Sequence, residues 1–300
     1  MDIIRVFQLN STFFYITIVI LALLIGSFLN VVIHRLPIML LRDWRRDCRE
    51  FLADKYPGDL ATNLPPPDST RYNLVVPRSA CPHCGHMIGA WENIPILSYL
   101  FLKGRCKACK TRISPRYPII EAVTAITTFT VAWKFGVSYQ FLFATLLTWA
   151  LIALTLIDFD YQYLPDQITL PILWLGLFLN LQNLYTDPHS AIIGATLGYL
   201  SLWSVYHVFK LFTGKEGMGY GDFKLLALFG AWLGWQMLPA IILISTLIGS
   251  VVGILLIAFK LHEKGKPIPF GPYLAGAGWI VLLWGKDLNT LYFHLFLGTN

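Results

Sequence analysis

The chain has 300 residues, of which 56% are hydrophobic, 15% aromatic and only 13% charged. An ordinary soluble domain has about 25% charged residues, so this composition excludes a typical soluble enzyme, a disordered chain and a disulfide-rich secreted scaffold. The formal net charge is +6, and its meaning depends on where the basic residues lie. The composition predicts an integral membrane protein.

Apolar segments long enough to cross a bilayer recur along the chain. A spanning helix needs about 20 mostly apolar residues, and the first such segment covers approximately residues 12–32. It has no basic flank before it and no small-residue cleavage site after it, so we interpret it as a retained helix rather than a signal peptide. The later apolar segments cover residues 119–135, 139–158, 168–184, 190–212, 223–259 and 273–291.

The segment at 223–259 is too long for one span. As a helix it would measure about 55 Å, nearly twice the thickness of the hydrocarbon layer. Gly234, Trp235, Gln236 and Pro239 lie where a reversal of the chain is needed. The sequence therefore predicts an all-α polytopic membrane protein with about eight transmembrane helices.

Most of the basic residues fall on one predicted side of the membrane. Residues 35–116 contain 14 of the 23 lysines and arginines. With this segment in the cytosol, six further lysines fall inside, so that 20 of the 23 basic residues are cytosolic; the six are Lys210, Lys215, Lys224, Lys260, Lys264 and Lys266. Because cytoplasmic loops are rich in lysine and arginine, this distribution predicts that both termini are periplasmic. The basic charge therefore indicates topology and a lipid bilayer as partner, and no nucleic acid.

Two C-x-x-C motifs lie in the polar segment, at Cys81-Pro82-His83-Cys84 and at Cys106-Lys107-Ala108-Cys109. Disulfides are disfavoured in the reducing cytosol, and four thiolates complete the tetrahedral coordination of a structural zinc ion. We therefore expect Cys81, Cys84, Cys106 and Cys109 to bind zinc. The alternatives are redox dithiols, unligated thiols, or a three-cysteine site completed by His83 or His86. Cys48 is left without a partner.

Acidic residues at the ends of spans are costly and indicate function. Asp158 and Asp160 end the third predicted span, and Asp222 begins the sixth after Gly219-Tyr220-Gly221. The predicted topology puts both places at the cytosolic edge of the membrane. Two carboxyl groups that share a proton can activate water and polarise a carbonyl, as in aspartic peptidases, and glycines give substrate room. The alternative is that these acids cap helices.

Five motifs in this order resemble the type IV prepilin peptidase family, and the resemblance covers nearly the whole chain. They are residues 26–37, the paired C-x-x-C motifs, Asp158 with Leu164-Pro165-Asp166, Gly219-Tyr220-Gly221-Asp222, and residues 269–275. The resemblance implies that Asp158 and Asp222 are catalytic, that Gly219 and Gly221 support them, and that the cysteines form a cytosolic zinc-binding insertion.

The resemblance also implies an activity. The enzyme would cleave the basic leader of type IV prepilins and type II secretion pseudopilins after a glycine, at the cytosolic face of the bacterial inner membrane. It would then methylate the new N-terminal residue with S-adenosylmethionine. The sequence has no glycine-rich dinucleotide-type loop, so the residues that bind this donor are unknown, and Glu92 with Asn93 form a weak candidate pair. The alternatives are a peptidase without methyl transfer, a proton-coupled transporter and a docking module for a secretion apparatus.

The remaining acidic residues near the membrane have expected supporting roles. Asp166 follows a proline and is expected to cap or support a helix rather than to transfer a proton. Lys224 could stabilise a nearby carboxylate or merely flank the membrane, and we favour the second. Glu121 is expected either to position substrate or to form a structural hydrogen bond. The expected domains are a first transmembrane helix, a cytosolic zinc-binding segment and a membrane peptidase domain of about seven helices, at residues 1–36, 37–116 and 117–300.

Overall fold

A computed structural model of the chain describes residues 3–55, 71–259 and 268–297. Within them the main elements are ten α-helices: α1 Ile3–Leu9, α2 Ser11–Lys55, α3 Leu97–Phe101, α4 Arg116–Phe135, α5 Tyr139–Tyr161, α6 Asp166–Asn180, α7 Pro188–Thr213, α8 Tyr220–Leu233, α9 Leu238–Ala258 and α10 Gly271–Leu297. Short 3-10 helices cover Ala90–Asn93 and Trp235–Met237. Extended pairing in these residues is limited to two isolated bridges, so the all-α class is confirmed.

Four of the described helices are long and apolar enough to cross a membrane. They are Ser11–Lys55, Tyr139–Tyr161, Pro188–Thr213 and Trp235–Ala258. Helices α6 and α8 have 15 and 14 residues, fewer than the roughly 20 that a full span needs. The membrane class follows from these helices, while the number of about eight spans stays a prediction. Lys260, Lys264 and Lys266 lie outside the described residues.

Helix α2 continues beyond the end of the first apolar segment. It runs for 45 residues with Pro37 inside it, although the apolar segment ends near residue 32. In its polar half Arg46 forms ion pairs with Asp43 and Glu50, three and four residues away. Such pairs stabilise a helix modestly, so α2 persists after the hydrophobic pattern ends. The predicted domain boundary at residue 36 thus falls inside a helix, and as a boundary between domains it stays a prediction.

The chain forms two compact units. We call Tyr15–Ile126 the cysteine unit, and Met1–Phe14 with Thr127–Asn300 the aspartate unit. Helix α8 is the centre of the aspartate unit and packs against α6, α7 and α10. Its residues 225–232 are all buried. Because an apolar helix surrounded by other helices is held on all sides, α8 provides a rigid base for whatever lies at its first turn.

Glycines set the spacing between α7 and α8. A Cβ atom on Gly194 or on Gly230 would collide with the carbonyl oxygen of the other, and one on Gly198 would lie 2.7 Å from the Leu226 oxygen. Small residues let helix backbones approach closely within a membrane. Helix α8 then ends at Gly234, whose φ of 83° suits glycine, and α9 begins at Leu238. The predicted break in the 223–259 segment is confirmed, while the reversal of the chain there stays a prediction.

In the cysteine unit, α2 and α4 are held together by residues of the 26–37 motif. A Cβ on Gly26 would lie 2.8 Å from the Glu121 Cα atom, and the Asn30 side-chain amide donates to the Tyr117 carbonyl at 3.3 Å. Arg35 is buried and donates to the Asn73 carbonyl at 3.0 Å. These polar residues of α2 therefore serve packing inside their own unit.

Candidate active site and metal centre

Two buried carboxyl groups from different helices meet in the aspartate unit. Asp158 lies in the last turn of α5, and Asp222 lies in the first turn of α8. Their exposed fractions are 6% and 7%, and the two carboxyl groups interact electrostatically. The structure thus brings together the two acids that the sequence singled out. Asp160, two residues from Asp158, is exposed.

The turn after α5 leads from Asp158 to α6 and packs against the first turn of α8. Gln162 ends the helix in a left-handed conformation with φ of 53°, and its amide donates to the Asp158 carbonyl. Leu164 is then buried, and a Cβ on Gly221 would lie 2.9 Å from the Leu164 Cβ. Gly221 is therefore required by this close approach. A Cβ on Gly219 would meet only the Gly221 nitrogen, at 3.9 Å, so its supporting role stays a prediction.

An ion pair joins α6 to α8 beside the acids. The Lys224 ammonium group donates to both carboxylate oxygens of Asp166 at 2.7 Å. The prediction that Lys224 merely flanks the membrane is therefore wrong, because its side chain binds a carboxylate 58 residues away in the chain. Asp166 is the first residue of α6, while Pro165 occupies the capping position. Its predicted role as a support fits this ion pair.

Gly271, at the start of α10, was not singled out as a site residue. A Cβ on it would lie 2.5 Å from the Asp158 Oδ2 atom. This oxygen is buried and has no hydrogen-bond partner among the residues that the structure describes. The only sequence signal was the glycine between two prolines in the 269–275 motif, which does not reveal a neighbour so distant in the chain.

Glu121 lies in the cysteine unit and forms a structural hydrogen bond. Its side chain is 7% exposed, and its Oε2 atom accepts from the Ile96 amide at 2.7 Å. Ile96 has φ of 59° and ψ of −50°, a conformation that is unfavourable for a β-branched residue. The buried carboxylate thus holds a strained turn, which matches the structural one of the two expected roles.

The four cysteines converge in the cysteine unit. Their Sγ atoms all lie within 4.8 Å of one another, with Cys81 and Cys109 at 3.8 Å and Cys84 and Cys106 at 3.9 Å. Zinc–sulfur bonds of about 2.3 Å in a tetrahedron place the sulfurs about 3.8 Å apart. The donor set and its spacing therefore fit a tetrahedral metal ion held by four cysteines.

The two C-x-x-C turns have the same backbone pattern. The Gly85 amide donates to the Cys81 carbonyl at 2.9 Å, and the Lys110 amide donates to the Cys106 carbonyl at 3.0 Å. Gly85 and Lys110 both have positive φ, at 70° and 61°. This repeated turn directs two thiols from each motif toward one point, as in a zinc knuckle.

Glu92 connects the two C-x-x-C turns and binds His86, one of the two histidines considered as a metal ligand. Its carboxylate lies 3.0 Å from His86 Nε2 and 3.1 Å from Lys107 Nζ. The hydrogen bond from Lys107 lowers the pKa of Glu92, with a further lowering from His86. Glu92 is therefore a charged link between the motifs, and the geometry favours four cysteines over a three-cysteine site with His86.

Helical spans, paired buried acids and a four-cysteine centre together define a polytopic membrane protein with the features of an aspartic peptidase. Residues 20–135 match the bacterial peptidase A24 N-terminal domain, and residues 145–254 match the type IV leader peptidase family. The chain belongs to this family, because its relatives are similar over nearly their whole length.

Three of these relatives share the name prepilin leader peptidase/N-methyltransferase. The protein from Stutzerimonas stutzeri is 53% identical over 283 residues, covering 94% of this chain and 95% of its own. That from Aeromonas salmonicida (strain A449) is 56% identical and covers 92% of each chain. That from Dichelobacter nodosus is 47% identical and covers 90% of this chain and 92% of its own. No solved structure matches the chain.

Proposed function

We propose that this protein cleaves the leader from type IV prepilins and type II secretion pseudopilins and then methylates the new N-terminal amine. The names of its relatives support both activities. The observation that carries the peptidase assignment is the pairing of two buried acids, Asp158 and Asp222, from separate helices.

The chemistry follows from this pairing. Two neighbouring carboxyl groups in a buried site do not both ionise, so one carries a proton. The ionised group removes a proton from the attacking water while the protonated group donates a hydrogen bond to the scissile carbonyl. Gly221 and Gly219 keep the approach to Asp222 free of side chains. Asp166 and Glu121 support the fold around their own neighbours.

We place the site at the cytosolic edge of the inner membrane, with both termini in the periplasm. The distribution of lysine and arginine supports this orientation. A leader that has not yet crossed the membrane remains on the same side. Residues 37–116 then form a cytosolic segment that binds a structural zinc ion through Cys81, Cys84, Cys106 and Cys109. S-adenosylmethionine supplies the methyl group.

A purified-protein assay tests the peptidase assignment. The full chain in detergent is incubated with a prepilin, and the products are measured by mass spectrometry. Asp158→Asn and Asp222→Asn should each lower cleavage at least about a hundredfold, since each removes an acid–base group. Asp160→Asn is the matched control and should cleave normally. Cleavage at the wild-type rate by either of the first two variants would refute the assignment.

The same assay tests methyl transfer. With S-adenosylmethionine present, the cleaved product should gain one methyl group, and without it the product should be cleaved but unmodified. A product that is cleaved but never methylated would support the narrower function of a peptidase without methyl transfer. An uncut prepilin with a folded protein would contradict both forms of the proposal.

A further inference from the structure

The first turn of α10 leaves one main-chain donor unused by its own helix. The first N–H groups of any helix have no partner within it. In α10, Pro272 has no N–H, and the amides of Tyr273 and Leu274 both donate to the Phe270 carbonyl at 3.1 Å. Among these four residues, only the amide of Gly271 remains free to bind a group outside the helix.

Asp158 occupies the position that this amide faces. Its Oδ2 atom is the nearest atom to a Cβ built on Gly271, at 2.5 Å, followed by its Cγ atom at 3.2 Å. The Gly271 amide interacts with the Asp158 carboxylate. The Oδ2 atom of this carboxylate has no other hydrogen-bond partner in the described part of the chain. The N-terminus of a long helix carries partial positive charge, so it attracts and orients a carboxylate there.

Leu164 lies between the start of α10 and the first turn of α8. Its side chain is 5% exposed. Both glycines pack against this same buried leucine, whose Cδ1 atom would lie 3.1 Å from a Cβ on Gly221 and 3.3 Å from one on Gly271. A side chain at either position would have to displace Leu164 or its own segment.

We propose that Gly271, spaced by Leu164, is a positioning residue that orients the Asp158 carboxylate toward Asp222 and the substrate. The proposal rests on the proposed function, because it assigns a role within the same site. Gly271 acts through Asp158 and does not itself take part in proton transfer. Its lack of a side chain lets the free amide approach the carboxylate.

Gly271→Ala tests this role, and Gly276→Ala is the matched control on the same helix. A Cβ on Gly276 would meet nothing within 4 Å. In prepilin cleavage by the full chain in detergent, Gly271→Ala should lower kcat by about a hundredfold, the scale of loss when a catalytic group moves by about 1 Å. KM should stay within about threefold, because substrate binding is untouched. Gly276→Ala should keep both constants near wild type.

A kcat for Gly271→Ala within about threefold of wild type would overturn the proposal. The Asp158→Asn variant separates this failure from a failure of the proposed function: if it is inactive while Gly271→Ala is normal, only the positioning role is wrong. Thermal unfolding checks that each variant is folded. If Gly271→Ala does not fold, Leu164→Ala replaces it, since truncation introduces no clash. It should lower kcat about tenfold at constant KM, and an unchanged kcat would refute the spacing role of Leu164 and the proposal with it.

Discussion

Removing one cysteine ligand should abolish metal binding and loosen the segment around it. The change is Cys106→Ser, because Cys106 is the buried member of the four. Wild-type protein should contain one zinc ion per chain, and the variant should contain none. Cys48→Ser is the matched control, since Cys48 is an exposed thiol outside the cluster, and it should retain zinc.

The structure shows why the loss should be large. Sulfur separations of 3.8 and 3.9 Å already match a zinc tetrahedron, so binding needs little rearrangement. From residue 71 to 115, only Pro95, Gly104 and Cys106 are buried. Because so few side chains are buried, hydrophobic packing alone should not stabilise the fold of this segment. Metal at a thousandfold excess over its dissociation constant stabilises the folded form by about 4 kcal/mol. This segment has few other contacts to replace that stabilisation.

Two measurements check the zinc prediction. Metal analysis of the purified proteins gives the zinc content, and hydrogen exchange of peptides from residues 71–115 reports local opening. Exchange should accelerate strongly in Cys106→Ser and in wild type treated with a chelator, and not in Cys48→Ser. Equal zinc content in wild type and Cys106→Ser would refute the four-cysteine site, and unchanged exchange after zinc loss would refute its structural role.

Three further tests address packing and electrostatics in the aspartate unit. Gly230→Ala should lower the free energy of unfolding by about 1–3 kcal/mol, because its Cβ would overlap the Gly194 carbonyl, and an unchanged melting temperature would contradict this packing. A double-mutant cycle on Asp166 and Lys224 should give a coupling of about 1 kcal/mol, because the pair is partly exposed, and strictly additive effects would refute the ion pair. The Ser190 amide lowers the pKa of Asp187, so its stabilisation is present above the ordinary carboxyl pKa and is lost as the pH falls through the lowered value. Asp187→Asn should flatten that part of the stability curve, and identical pH profiles would exclude the contribution.

Features of the fold that depend on nearby residues were predictable from the sequence. The break between helices at Gly234 followed from the length of the apolar segment and from the glycine within it. The all-α class followed from apolar segments of helical length, and family membership from five ordered motifs. The first two inferences used composition and spacing within a few tens of residues, and the third used the order of short motifs along the chain.

The extent of α2 was harder to predict, because hydrophobicity and helix formation are different properties. The apolar pattern locates the part of a helix that suits a membrane, near residues 12–32. Backbone hydrogen bonds and pairs such as Arg46 with Glu50 extend the helix to Lys55. A prediction made from hydropathy therefore ends where the apolar residues end, although the helix does not.

Contacts between distant residues were not predictable. Nothing in the spacing indicates that Lys224 binds Asp166, or that Gly271 approaches Asp158. Such neighbours are determined by how whole helices pack, through contacts such as Gly194 with Gly230, and a single sequence gives no information on which helices are adjacent. The sequence thus identified the two acids of the site but not the groups that orient them.

The ion pair of Lys224 with Asp166 bears on the proposal that Asp158 and Asp222 share one proton. Lys224 is only two residues from Asp222, and an ammonium group bound there would favour ionisation of both acids and remove their shared proton. The structure instead shows the ammonium on both Asp166 oxygens, and neither Asp158 nor Asp222 forms an ion pair among the described residues. In the proposed mechanism Asp166 thus supports the site by binding the Lys224 ammonium group, so that this cation does not form an ion pair with Asp158 or Asp222.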